Sequence, residues 1–132
     1  MASITVSPFL RWALRLDALA SGATGLLLLL APGALESLLR IPADLLSSAG
    51  LVLVPYAAVV AFLGTRTSLS SVAVWVVIGI NLLWALDSFV FLASDWAEPS
   101  ALGIVFVIGQ ALVVAGFAVL QLMGLKRSAL AA

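Results

Sequence analysis

Apolar residues fall along this chain in four long blocks, each bounded by a short cluster of polar residues or of Pro and Gly. The blocks predict four helices, at approximately 9–31, 42–63, 72–92 and 100–123. The first of these carries Arg11, Arg15 and Asp17 in its leading half. Its uninterrupted apolar and small-residue part, Ala18 to Ala31, makes roughly 21 Å of helix at 1.5 Å per residue. A bilayer core is about 30 Å thick, so that part alone is too short to cross it. Crossing draws Asp17, and the stem of Arg15, below the headgroups. A carboxyl group held there needs a partner or water, which makes it the first functional suspect.

The clusters between blocks are consistent with helix ends. Pro32 and Gly33 stop the first helix, because Pro lacks an N–H and Gly accepts the turn. The stretch 34–40, ALESLLR, places Leu35, Leu38 and Leu39 together and sets Glu36 four residues before Arg40. It reads as a short helix on the membrane surface. Pro42 and Pro99 each suit a helix start, and Pro55 interrupts the second helix from within. Gly64 to Ser70 reads as a polar turn. The basic start followed by apolar Ala18–Leu30 has the outline of a signal peptide. Asp17, and Pro32 at the would-be cleavage site, favour a retained helix instead.

Composition sharpens the class. The chain has 132 residues, 64% of them apolar and 9% charged, more apolar surface than a soluble domain of this size has interior to hide. The expected fold is therefore all-α: one integral membrane domain, an antiparallel up-down four-helix bundle with a short surface helix between its first two spans. The absence of Cys and His removes thiolate nucleophiles, imidazole bases and the usual transition-metal ligands. Lys126, the one lysine, stands in a terminal basic cluster, so no Ser–Lys site forms either. An enzyme, a metal site and a bound cofactor are not expected, and nothing points to nucleic acid. Arg11, Arg15, Arg66, Lys126 and Arg127 fall on one side of such a bundle, with Arg40 alone on the other beside Glu36, Asp44, Asp95 and Glu98. This bias predicts a multi-pass protein of a bacterial inner membrane with both termini cytoplasmic.

Depth along each helix locates the polar residues. Asp17, Tyr56 and Asn81 each lie roughly 12–14 Å from the basic end of their helices, and so share a layer. Asp87 and Gln110 lie at roughly 20–22 Å, a second layer with Ser47 nearby. The candidate buried polar site is thus Asp17, Tyr56, Asn81 and Gln110, with Asp87, Trp84 and Arg15 secondary. Asp17 is read either as a carboxylate that takes up a proton or a cation, or as one member of a set of interhelical cross-links. Arg15, two residues away, points to a different helix face and is a poor partner for it. Ala18, Ser21, Gly22 and Gly25 form a small-residue stripe on the first helix. Ala111, Ala115 and Ala118 form another on the fourth, with Gly109 and Gly116 on a roughly opposite face. Such stripes permit close packing within the bundle or against another subunit.

Arg15-Leu16-Asp17-Ala18, the stretch GLLLLLAPGALESLL and Asn81-x-x-Trp84 together resemble small bacterial four-helix inner-membrane proteins, loosely DoxX-like. The resemblance implies a bundle and no particular activity. Three functions follow as expectations. The leading one is a non-enzymatic accessory or scaffold component of a membrane assembly, homo-oligomeric or within a larger complex. The second is a proton- or cation-coupled transporter with Asp17 as coupling acid. The third is a hydrophobic-ligand or quinone site lined by Trp84, Trp75 and Phe91.

Overall fold

The computed structural model describes residues 3–130. Short strand β1 (Ser3–Thr5) leads into α1 (Pro8–Leu30), followed by α2 (Pro32–Leu39) and α3 (Ala43–Leu63). Strand β2 (Ser68–Ser70), α4 (Ser71–Ala93), α5 (Ala101–Arg127) and strand β3 (Ala129–Leu130) complete it. Helices α1, α3, α4 and α5 are each long and apolar enough to cross a membrane, the mark of a helical membrane protein.

Local chemistry sets the helix starts. Ser7, Ser70 and Ser100 cap α1, α4 and α5, each hydroxyl accepting from a backbone N–H of the first turn at 3.1–3.3 Å. Pro8 and Pro32 occupy first-turn positions, where the missing N–H costs nothing. Arg40 ends α2 in the left-handed region, φ 56°, and its N–H closes on the Glu36 carbonyl.

The two ends of the bundle are tied differently. At one end β1 pairs antiparallel with both β2 and β3, so the N-terminal, α3–α4 and C-terminal segments meet in one small sheet. This sheet is an addition to the expected fold, and β2 occupies part of what reads in sequence as a polar turn. The same end holds every Arg and Lys except Arg40. The Arg15 Nε donates to the Gly64 carbonyl (3.1 Å), and Arg127 stacks over Phe9 at 4.4 Å. At the other end Ser100 joins α5 to α2, its N–H donating to the Leu39 carbonyl (2.9 Å) and its hydroxyl to that of Leu38 (2.8 Å). Glu36, Asp44, Asp95 and Glu98 gather there, and Glu36 accepts from the Ala43 N–H at 2.7 Å.

Packing turns the usual globular arrangement outward. Many of the buried positions along the spans are small or polar, among them Ala13, Ser21, Gly25, Gly50, Ala57, Ala85, Ala111 and Ala118. Leu19, Leu30, Leu51, Val105 and Leu112 face outward. A surface this apolar is stable in lipid and not in water. The small-residue stripe of α1 meets α3: a Cβ on Gly50 would come within 2.8 Å of the Gly25 carbonyl oxygen, and Gly22 faces Ala57. Gly109 and Gly116 look outward with nothing near them.

Helix α1 packs along α3 and α5, and α4 packs along α5, whereas α3 and α4 scarcely meet. Two apolar clusters fill the interior. One, around Leu10, Leu14, Val60, Val74 and Ile78, lies toward the basic end; the other, around Leu28, Leu46, Leu53 and Val107, lies toward the acidic end.

A polar knot and a lateral cleft

Asp17 is fully buried in the basic half of the bundle, and its carboxylate is the hub of a hydrogen-bonded knot. Ser21, one turn further along α1, donates to Oδ1 at 2.8 Å. Oδ2 receives Gln121 Nε2 of α5 at 2.7 Å, Asn81 Nδ2 of α4 at 3.0 Å and the Tyr56 hydroxyl of α3 at 2.7 Å. Asn81 Nδ2 also donates to Gln121 Oε1 at 2.9 Å, and Tyr56 reaches Asn81 Oδ1 at 2.9 Å. One side chain from every spanning helix therefore converges on a single acid, and none of its hydrogen-bond partners is a cation. Tyr56 has one hydroxyl hydrogen and two acceptors in range. A proton on the carboxyl group, given to the Tyr56 oxygen, would leave the phenol hydrogen to Asn81 Oδ1 and fill both contacts with no heavy atom moved.

The sequence layer of Asp17, Tyr56 and Asn81 is brought together, but Gln110 does not join it. Gln121 takes that place, and Ser21, read from sequence only as a small packing residue, completes the set. Arg15 points to the surface and to Gly64, away from Asp17.

Gln110 anchors a second polar group nearer the acidic end. Trp84 Nε1 donates to Gln110 Oε1 (2.7 Å), and Gln110 Nε2 donates to the Ser88 hydroxyl (2.8 Å) and the Val107 carbonyl (2.8 Å). The Ser88 hydroxyl in turn donates to the Trp84 carbonyl at 2.8 Å. Asp87 stands beside this group, exposed and outside its hydrogen bonds. Ser47, expected nearby, donates to the Asp44 carbonyl instead.

This second group borders a cleft of about 450 Å³, where α3 and α4 diverge. Leu45, Ala49 and Leu53 line it from α3, and Trp84, Asp87 and Phe91 from α4. Phe106 and Gln110 of α5 and Leu28 of α1 contribute further wall. Phe91 and Trp96 meet edge to face, centroids 6.0 Å apart. Trp75, expected to line such a pocket, is 53% exposed on the outside of α4. A smaller hollow of about 170 Å³ shares Thr24, Leu53, Trp84 and Gln110 with the cleft and extends to Ser21. The smaller hollow is thus bordered both by Gln110 and by Ser21, the serine that donates to Asp17.

Among the described residues no group of three or more acidic side chains could hold a metal ion. Compared with protein-family models, with curated proteins and with solved structures, the chain shows no match.

Proposed function

We propose that this chain is a small non-enzymatic multi-pass membrane protein that holds an amphipathic molecule in the cleft between α3 and α4. In this reading the four spans run alternately up and down through a bacterial inner membrane, basic end and both termini toward the cytoplasm. The carrying observation is the cleft itself: largely apolar walls, a volume within the usual range for small-molecule sites, and a few convergent polar groups at Trp84, Ser88 and Gln110. A seam between two helices that scarcely touch admits a ligand sideways from the lipid phase. The knot at Asp17 has a different task, holding the four helices in register so that the seam stays open.

Native mass spectrometry of the protein extracted gently from its own membranes tests this. The expected result is a bound small amphiphile on the parent protein that is absent from Ala49→Trp, in which an indole fills the cleft. A parent protein carrying no such mass, or a mass retained by the filled variant, would sink the reading.

A second reading, proton-coupled transport through Asp17, draws on the vacant place for one proton in the knot and on the hollow reaching Ser21. It requires that Asp17→Asn abolish pH-dependent flux while leaving the protein folded. An accessory role in a larger assembly draws on the outward faces of Gly109 and Gly116, which leave room for a second helix.

A further inference from the structure

The hydrogen-bond inventory of the cleft selects the head of its occupant. The Trp84 N–H, both hydrogens of the Gln110 amide and the Ser88 hydroxyl hydrogen are already spent on partners within the wall. Ser94, also in the lining, gives its hydrogen to the Phe91 carbonyl at 2.7 Å. Among the described side chains of the lining, the Thr24 hydroxyl at the inner limit of the cleft and the Trp96 indole N–H keep a hydrogen without such a partner. Beyond those two donors the lining offers acceptor capacity, and its strongest acceptor is the Asp87 carboxylate. Trp84, Phe91 and Trp96 add aromatic surface around it. Through Ile41, Ser94 and Trp96 the cleft reaches the end of the bundle that carries Glu36, Asp44, Asp95 and Glu98 against Arg40 alone.

From this arrangement we infer that the cleft is a site for an amphiphile with a protonated amine head, whose N–H groups meet Asp87 while its apolar tail lies between α3 and α4. A carboxylate or phosphate head finds few free side-chain donors there and is repelled by Asp87. A quinone, whose carbonyls only accept, is served as poorly. The ammonium satisfies the acceptor, gains attraction from the aromatic faces and is drawn to the acidic end of the bundle. The inference rests on the cleft reading above and adds the chemistry of the head.

The test uses the full chain in discs of zwitterionic lipid and three probes of equal tail length: dodecylamine, dodecanol and dodecanoate. Binding is read as a saturable change in tryptophan fluorescence, in the parent, in Asp87→Asn and in Ala49→Trp. The expected order is dodecylamine first and dodecanoate last. Asp87→Asn should weaken dodecylamine by about tenfold and leave dodecanol unchanged, the loss of one charge-assisted hydrogen bond. Because Asp87 is exposed and bonded to none of its neighbours, the substitution does not disturb folding. Equal binding of all three probes, or an amine affinity indifferent to Asp87→Asn, overturns the head assignment while the cleft stands. Failure of every probe to saturate, or saturation undiminished in Ala49→Trp, overturns the cleft and the assignment together. Repeating the dodecylamine titration with an aminophospholipid in the discs separates the sources: competition identifies a lipid headgroup as the natural cation, and its absence a free amine.

Discussion

Asp17→Leu is expected to cost the bundle several kilocalories per mole and to leave little folded protein outside the membrane. The substitution removes the acceptor shared by Ser21, Tyr56, Asn81 and Gln121, a set drawn from all four spanning helices. Side-chain hydrogen bonds between membrane helices are worth only about 0.6 kcal/mol on average, so counting bonds alone gives roughly 2 kcal/mol. The larger share comes from donors left buried without a partner, at about 1–3 kcal/mol each. Gln121 is fully buried and Asn81 nearly so, hence neither reaches water to recover the loss. Asp17→Asn should be much milder. Its oxygen turns toward the amides of Asn81 and Gln121, and its own amide turns toward the Ser21 hydroxyl, which accepts. Thermal unfolding in a mild detergent, followed by the loss of near-ultraviolet dichroism, measures both variants against the parent. A leucine variant as stable as the asparagine one would remove the carboxyl from the centre of the fold.

The second large effect is expected at Asn81. Its amide donates to both Asp17 and Gln121, and its carbonyl faces Tyr56, so, like Asp17, it touches every other long-range member of the knot. Asn81→Leu keeps the volume and removes all three contacts. Because Asp17 and Asn81 are in direct contact, their losses should not add. The double variant Asp17→Leu/Asn81→Leu is expected to be more stable than the sum of the single losses by about 1–2 kcal/mol, within the range found for contacting residues. Unfolding of the three variants under one set of detergent conditions closes the cycle. Strict additivity would mean that the two side chains act separately.

Most of the helical frame was readable in the blocks of apolar residues, since the expected bounds of the four spans agree with the helices to within a residue or so, with one exception. The layer of Asp17, Tyr56 and Asn81 was readable too, because depth depends only on where a helix starts and on its rise per residue. The exception explains the missing member. Ending the last helix near 123 leaves Gln121 within one turn of the surface, whereas α5 continues to Arg127 and carries that amide a further turn inward. Gln110 falls in a second layer, as expected, but its hydrogen bonds go to Trp84 and Ser88 and not to Asp87 or Ser47. The spans are apolar on nearly every face, so no polar stripe marks the side a helix turns to its neighbour. The same blindness hid the open seam between α3 and α4, the outward turn of Trp75 and the pairing of the α1 stripe with α3. The three strands left no pattern, being only two or three residues long. Their pairing follows from chain ends that the helices bring together.

Two polar centres with separate duties are the core of this account: Asp17 holds the helices, and the cleft holds the ligand. The most direct test is a single binding titration of dodecylamine on folded parent, Asp17→Asn and Ala49→Trp protein under identical conditions. The account predicts an Asp17→Asn curve that overlies that of the parent, and a curve for Ala49→Trp with no saturable phase. Binding lost in Asp17→Asn and kept in Ala49→Trp would contradict it, and would move the working site from the cleft to the buried acid.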